Sequence, residues 1–299
     1  MRKVQELKAF LIHLRLHYQL FILSGAFLSG VVFAGGAFSS PSHARDLLIQ
    51  FLSVHVLLFG GVTVYNSFWD KDTGPIGGIQ APPPLASWTL PASWFAQACG
   101  LCIAARISLA SAAVYAASML FFWLYSSPGA RWKGRPWLSL IAIGLSTGAG
   151  GFLLGYLSDG RTAIAPACLA GSLGVACLIV SLFPMSQVFQ VEEDVQRRDA
   201  TFTARYGLRG VRLAYRVLFS LGVLLLSGGL ATLDTRLGLA FLVLGSASGL
   251  GVWRVIRTLR MAPEEYGKVM GVKYVASGLF AGFVGLILWL QSQGWIRGG

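Results

Sequence analysis

Two short acidic runs hold half of the carboxylates in this chain, and both follow long apolar segments. The first is Asn66-Ser67-Phe68-Trp69-Asp70-Lys71-Asp72. The second is Glu192-Glu193-Asp194, with Asp199 five residues on. Together they account for six of the twelve Asp and Glu. Carboxylates are costly near lipid and tend to mark function there. Two such groups on one membrane face suit a divalent cation, which takes hard oxygen donors. A divalent cation in turn suits phosphate chemistry.

Spacing refines the pattern. Asn66 and Asp70 are four apart, so a helix continuing through Asp70 puts them on one face. Gly74 and Pro75 then end the helix, which leaves Asp72 in the turn. Gln190 and Asp194 repeat the four-residue spacing, while Glu193 and Arg197 form a second pair that reads equally well as a salt bridge. Taken alone, each run is also an ordinary solvated acidic loop; it is the pairing that favours a shared cation site. Tyr125-Ser126 closes another apolar segment, and Arg131, Lys133 and Arg135 follow. Those cations either anchor the helix end or neutralise a diphosphate. Arg15 and His17 carry the same two readings. His55 lies eleven residues, three α-helical turns, before Asn66, and either lines the same cavity or packs in the core.

Helices crossing a membrane must position these groups. The chain has 299 residues, of which 55% are hydrophobic and 12% charged, with a mean hydropathy of +0.65. Soluble domains carry about twice that charge. Nine apolar segments approach the roughly 20 residues that a span requires. They run over 20–38, 47–66, 91–108, 110–126, 138–157, 163–184, 213–232, 236–253 and 272–292. The stretch from Leu90 to Tyr125 is too long for one span and is divided near Arg106-Ile107-Ser108. Residues 1–19 are basic and amphipathic, with Leu7, Leu11, Leu14 and Tyr18 at helical spacing. They read as an interfacial helix, not a cleaved signal. Of the 24 Lys and Arg, only Arg45, Arg106, Arg161, Arg236 and Arg297 fall on one side of this topology. The other nineteen place the N-terminus and both acidic runs in the cytoplasm.

The expected architecture is an all-α bundle of nine transmembrane helices enclosing an apolar chamber, one domain over 1–299. Gly144-x3-Gly148, Gly151-x3-Gly155 and Gly245-x3-Gly249 read as helix-packing seams, because no strand precedes them as a nucleotide loop requires. The net charge of +12 reflects cytoplasmic loops, and nucleic-acid binding is not expected. Cys99, Cys102, Cys168 and Cys177 sit in apolar helices and read as core residues, not as metal or redox centres.

The motifs resemble those of the UbiA superfamily of intramembrane prenyltransferases over nearly the whole chain. The resemblance rests on nine spans, Tyr65-Asn66 through Asp70 and Asp72, Tyr125-Ser126 with Arg131-x-Lys133, and Glu193-Asp194 through Thr201 to Gly207. The family's first motif is usually Asn-Asp-x2-Asp-x3-Asp; here Asn66 and Asp70 match, Ser67 replaces the first Asp, and Gly74 stands in place of the last. The second is usually Asp-x3-Asp; here Gln190 stands first and Asp194 second, with Glu193 and Asp199 nearby as substitutes. The resemblance implies Mg²⁺ held by Asn66, Asp70, Asp72, Glu193, Asp194 and Asp199, with Asp70 and Asp194 the essential pair. It implies an allylic prenyl diphosphate bound by Tyr125, Arg131, Lys133 and Arg197. Arg15, His55 and Gln190 are expected to line the cavity. The prenyl group passes to a lipophilic acceptor, most often aromatic, of the quinone- or tetrapyrrole-precursor kind. A terpene cyclase, or a transferase to a glycerol phosphate or other non-aromatic lipid, is the second reading; a cation-coupled transporter is a third, more distant one. Short loops suit a prokaryotic plasma membrane.

Overall fold

A computed structural model of the chain describes residues 2–35 and 41–296. Met1, the end of the first expected span at 36–38, and Arg297 lie outside the described residues. Among those residues the fold is helical, with a lone antiparallel bridge between Ile76 and Ile79. Among the described residues nine helices are long and apolar enough to span a bilayer: α1 (Arg2–Phe33), α2 (His43–Asp70), α3 (Thr89–Ile107), α4 (Leu109–Ser126), α5 (Pro136–Tyr156), α6 (Pro166–Gln187), α7 (Phe202–Leu233), α8 (Thr235–Ile256) and α9 (Pro263–Ser292). Consecutive helices pack side by side, and α9 closes on α1. Helix α1 also packs against α5 and α6.

The division between α3 and α4 falls at Ser108, as the sequence suggests. Its backbone is extended, and its hydroxyl accepts from the Ser111 N–H at 3.0 Å to cap α4. Three helices begin well before hydropathy alone indicates, α9 by nine residues. The amphipathic segment of α1 runs directly into the apolar one, broken only where Arg15 adopts φ 51. Helix α7 starts at Phe202, eleven residues before the apolar stretch, and is interrupted at Gly207 with φ 59 and ψ −167, a conformation open essentially to glycine alone.

Burial follows membrane rules. Phe27, Leu58, Phe59, Phe152 and Tyr115 are buried in the bundle, whereas Phe95, Val243 and Leu250 stand exposed on its outside, where lipid would meet them. Gly148 and Gly155, each the second glycine of its seam, sit at close helix approaches, whereas a Cβ at Gly151 or Gly245 would meet nothing nearer than 3.4 Å. A Cβ at Gly155 would lie 1.9 Å from the Phe27 carbonyl oxygen, and one at Gly30 would lie 1.9 Å from that of Phe152. Helices α1 and α5 thus touch backbone to backbone. A Cβ at Gly148 would lie 2.5 Å from Ala176 Cα, which brings α5 equally close to α6.

Three spans contain π-helical turns: Gln19–Leu23 in α1, Ser53–Gly60 in α2 and Gly144–Ala149 in α5. Such turns concentrate at functional sites, and here all three contribute side chains to one cavity. Gly155→Ala is expected to cost about 1–3 kcal/mol through overpacking. Gly251→Ala, whose new Cβ would meet nothing within 4 Å, should be close to neutral. Thermal unfolding of both variants in one detergent checks the contrast.

Candidate active site

The cavity has a volume of about 220 Å³. Its inner wall is apolar, with Leu23, Phe59, Val62, Phe122 and Ile143 from α1, α2, α4 and α5. Its mouth is ionic, with Asn66, Asp70, Asp72, Lys133, Asp194 and Arg197. The two acidic runs, more than a hundred residues apart in sequence, therefore meet at one opening.

Local backbone geometry aims these groups. Helix α2 ends at Asp70, and Lys71 caps it at φ 50. Asp72 then turns back onto the cavity. Helix α4 ends at Ser126, Arg131 takes φ 42, and a 3₁₀ turn at Trp132–Gly134 carries Lys133 inward. After α6 and the short helix Val191–Gln196, Arg198 takes φ 60 and Thr201 caps α7. All four described non-glycine residues at positive φ are basic: Arg15, Lys71, Arg131 and Arg198. Left-handed backbone is uncommon outside glycine, and strain of this kind gathers at functional sites.

Charges at the mouth are paired across the bundle. Lys133 Nζ forms an ion pair with Asp70 and lies 3.8 Å from Asp199. Arg131 grips Asp199 through two hydrogen bonds of 2.7 Å and stands 3.9 Å from Asp70. Arg197 pairs with Asp72 and lies 3.6 Å from Glu193. Asn66 Nδ2 donates to Asp70 Oδ2 at 2.7 Å and to Ser126 Oγ at 3.1 Å. Thr201 donates to Asp194 Oδ2 at 2.9 Å. Burial pushes the Asp194 carboxyl up to about 6, against the opposing pull of Thr201 and Lys133. The Asp199 carboxylate raises Arg131. Burial opposes the Arg197 charge, but Asp72 outweighs it and raises that group too.

Most expected residues reach the cavity, but not all. Asn66, Asp70, Asp72, Asp194, Tyr125, Lys133, Arg197, Arg15 and Gln190 line it. Glu193, Asp199 and Arg131 lie beside it. Glu193 Oε1 accepts from the Gly74 N–H at 2.7 Å and the Thr73 hydroxyl at 3.0 Å, tying the second run to the turn after the first. Asp199 holds Arg131. His55 does not line the cavity. It is fully buried, with Nδ1 2.8 Å from the Phe51 carbonyl oxygen and rings of Phe27, Phe51 and Phe59 around it. The three-turn spacing to Asn66 fails because the π-helical turn at Ser53–Gly60 shifts the register. Tyr18, Gln19 and Lys273 line the cavity without having been expected to. Lys273 stands at the start of the ninth apolar segment, and in the structure its side chain is buried and reaches Tyr18.

The donor set suits a hard divalent cation. Among the described residues no three His, Cys, Asp or Glu side chains form a ready cage. Mg²⁺ does not need one, since it binds through one or two carboxylates with water and substrate phosphates. Asp70 Oδ1 and Glu193 Oε2 are buried and make no hydrogen bond, although cations stand near both. The mouth thus offers paired carboxylates and cations above a largely apolar space, which is an arrangement for handling a polyanionic head on a hydrophobic tail.

These features define an intramembrane helical enzyme class in which a charged helix-end site sits over an apolar chamber. A model of the UbiA prenyltransferase family matches residues 23–274, and the chain belongs to that family of prenyl-transferring enzymes. No curated protein matches it. Among solved structures, a UbiA homologue from Archaeoglobus fulgidus bound to Cd²⁺ is 17% identical, with a TM-score of 0.69 over 94% of this chain and 99% of that one. The same homologue bound to GPP and Mg²⁺ is similar at 16% identity and a TM-score of 0.68, with the same coverage. A digeranylgeranylglyceryl phosphate synthase is 18% identical, with a TM-score of 0.64 over 96% of this chain and all of that one. These likenesses establish the fold.

His55→Phe should leave turnover within about twofold of wild type, since its ring packs among aromatics and the lost hydrogen bond is worth roughly 1 kcal/mol. Steady-state assays with a stability measurement check this; a loss of turnover in a normally stable variant would return His55 to the site.

Proposed function

We propose that this chain transfers a prenyl group from an allylic prenyl diphosphate to a lipophilic acceptor, with Mg²⁺ as cofactor. The observation that carries this reading is the meeting of both acidic runs with Lys133 and Arg197 at the mouth of one apolar cavity. The A. fulgidus homologue has structures with GPP and Mg²⁺ and with DMAPP and Mg²⁺, which supports it.

In this reading Asp70, Asp72 and Asp194 hold the cation, and the Asn66 amide orients Asp70. When bound, Mg²⁺ supplies charge neutralisation for the departing diphosphate. Lys133 and Arg197 exchange their carboxylate partners for phosphate oxygens, and Tyr125 borders them. Arg131, oriented by Asp199, adds positive charge from behind. Glu193 keeps the 73–74 turn against the second run. Leu23, Phe59, Val62 and Phe122 exclude water, which would otherwise quench the allylic cation formed when the C–O bond ionises. An electron-rich carbon of an aromatic acceptor, or the hydroxyl oxygen of a glycerol phosphate lipid, attacks that cation, and the proton on the attacking atom is then lost.

An aromatic acceptor of the quinone- or tetrapyrrole-precursor kind is the leading choice. The fold likeness to digeranylgeranylglyceryl phosphate synthase favours a second one, a lipid bearing a glycerol phosphate. The excess of basic residues on the side of the acidic runs supports a cytoplasmic mouth and N-terminus in a prokaryotic plasma membrane.

Purified protein with Mg²⁺ and C10 to C20 allylic diphosphates should release diphosphate only when a host lipid extract supplies the acceptor. The product mass then identifies that acceptor. Release without extract, with a cyclised product, would replace transfer by cyclisation; no release under any condition would overturn both. Asp70→Asn and Asp194→Asn should each lower turnover by about 100-fold or more, the scale of losing a main electrostatic contact.

Acidity gives an independent check. Protonated Asp194 cannot bind a metal, so the Mg²⁺ concentration for half-maximal rate should be flat above about pH 6. It should rise toward tenfold per pH unit below that value. A flat dependence down to pH 5 would remove Asp194 from the cation site.

A further inference from the structure

Two buried cations on the α1 and α9 side of the cavity have no role in donor binding as described above. Arg15 and Lys273 are each 7% exposed, and both line the cavity. Among the described residues neither has a carboxylate oxygen within 4.0 Å, whereas Arg131, Lys133 and Arg197 each do. Arg15 donates to Ser67 Oγ at 2.8 Å and to the Gly77 carbonyl at 3.0 Å, both neutral, and its buried Nε has no partner. Asp72 and Asp70 act on it only through space. Lys273 donates to the Tyr18 hydroxyl and lies 4.9 Å from that ring's centre. Buried charges are ordinarily paired, and Arg15 is held here at φ 51 besides.

The surroundings indicate which anion. Ile22, Ile179, Leu182 and Ser277 line both this cavity and a separate groove of about 360 Å³ between α1, α6, α8 and α9. That groove is apolar, walled by Phe241, Phe280 and Phe283, and Leu244 and Leu279 on its rim are more than half exposed on the outside of the bundle. Ser277 is one helical turn beyond Lys273. A lipophile entering from the bilayer along this groove would bring its head to Lys273 and Arg15. The donor diphosphate is assigned above to Lys133, Arg197 and a bound cation, and those two side chains already pair with Asp70 and Asp72.

We propose that Arg15 and Lys273 form a second anion-binding subsite, which takes the carboxylate or phosphate head of the lipophilic acceptor. The proposal rests on the prenyl-donor reading of the main site. Guanidinium grips planar oxyanions in two-pronged fashion, and the ammonium adds a point charge. Ser67 matters because it is neutral: an aspartate there would pair with Arg15 and cancel the charge the subsite offers.

Binding to the full-length protein in detergent, followed by calorimetry, tests this with n-decyl phosphate, n-decanol and the unreactive donor analogue geranyl S-thiolodiphosphate with Mg²⁺. Decyl phosphate should bind at least about tenfold tighter than decanol, the scale of one charge contact. It should still bind when the thiolodiphosphate is saturating. Arg15→Gln and Lys273→Met should each remove that preference while changing thiolodiphosphate affinity by less than about threefold. Arg15→Lys and Lys273→Arg, which keep the charge, should retain much of it and guard against simple misfolding. No preference for the phosphate in wild type would overturn the subsite. So would competition between the two probes, with Arg15→Gln and Lys273→Met weakening the thiolodiphosphate, since the cations would then belong to the donor. Failure of wild type to bind thiolodiphosphate at all, with decyl phosphate still preferred, would instead overturn the donor reading.

Discussion

The structure depends on charge neutralisation at a helix-end face in a protein otherwise built for lipid. Asp70 with Lys133, Asp199 with Arg131, and Asp72 with Arg197 tie α2, the turn after α4 and the segment before α7 into one mouth. None of these pairs is local in sequence. Removing one partner would leave a charge stranded in a poorly hydrated setting, which typically costs 3–5 kcal/mol. Each pair is therefore both a brace and a latch. It holds the loops where the carboxylates face the cavity, and on the proposed reading Lys133 and Arg197 are the cations an incoming polyanion would recruit.

Close helix packing serves the same end. Gly30 and Gly155 let α1 and α5 meet backbone to backbone, which fixes α1 against the bundle. That position brings Arg15 to Ser67 and Tyr18 over Gly77 and Gly78. The π-helical turns in α1, α2 and α5 add the second adjustment. Each widens the local turn and rotates the side chains beyond it, so Gln19, Phe59 and Thr147 all reach one cavity. A bundle of regular α-helices with the same apolar pattern would present a different set.

Much of this was legible in the residues. Hydropathy marked nine spans, and the break at Ser108 followed from the length of the Leu90–Tyr125 stretch. The two acidic runs, on the same side by the count of basic residues, do share an opening. What the pattern concealed has physical causes. A π-helical turn leaves no strong signature in sequence, so the spacing from His55 to Asn66 pointed to a shared face that does not exist. Spacing marks Glu193 and Asp199 as candidate ligands but cannot show their partners, the 73–74 turn and Arg131, which lie 68 to 120 residues away. Lys273 begins an apolar segment, where a basic residue ordinarily anchors a helix at the interface. Nothing local indicates that it turns inward to Tyr18.

The departures from the usual motif gain meaning from the same electrostatics. The first acidic run carries Ser67 and Gly74 where carboxylates are usual. A carboxylate at 67 would meet the Arg15 guanidinium directly, and one at 74 would face Glu193, since even a bare Cβ there would lie 3.0 Å from Glu193 Oε1. Ser67 instead leaves Arg15 with hydrogen bonds and no counter-ion, while Gly74 gives its N–H to Glu193. The chain has thus exchanged two negative charges for a cation left open to the cavity and a turn clamped from the other acidic run. The exchange leaves Asp70, Asp72 and Asp194 in place. On the proposed reading it would change which anions the chamber favours rather than whether it can hold a metal-bound one.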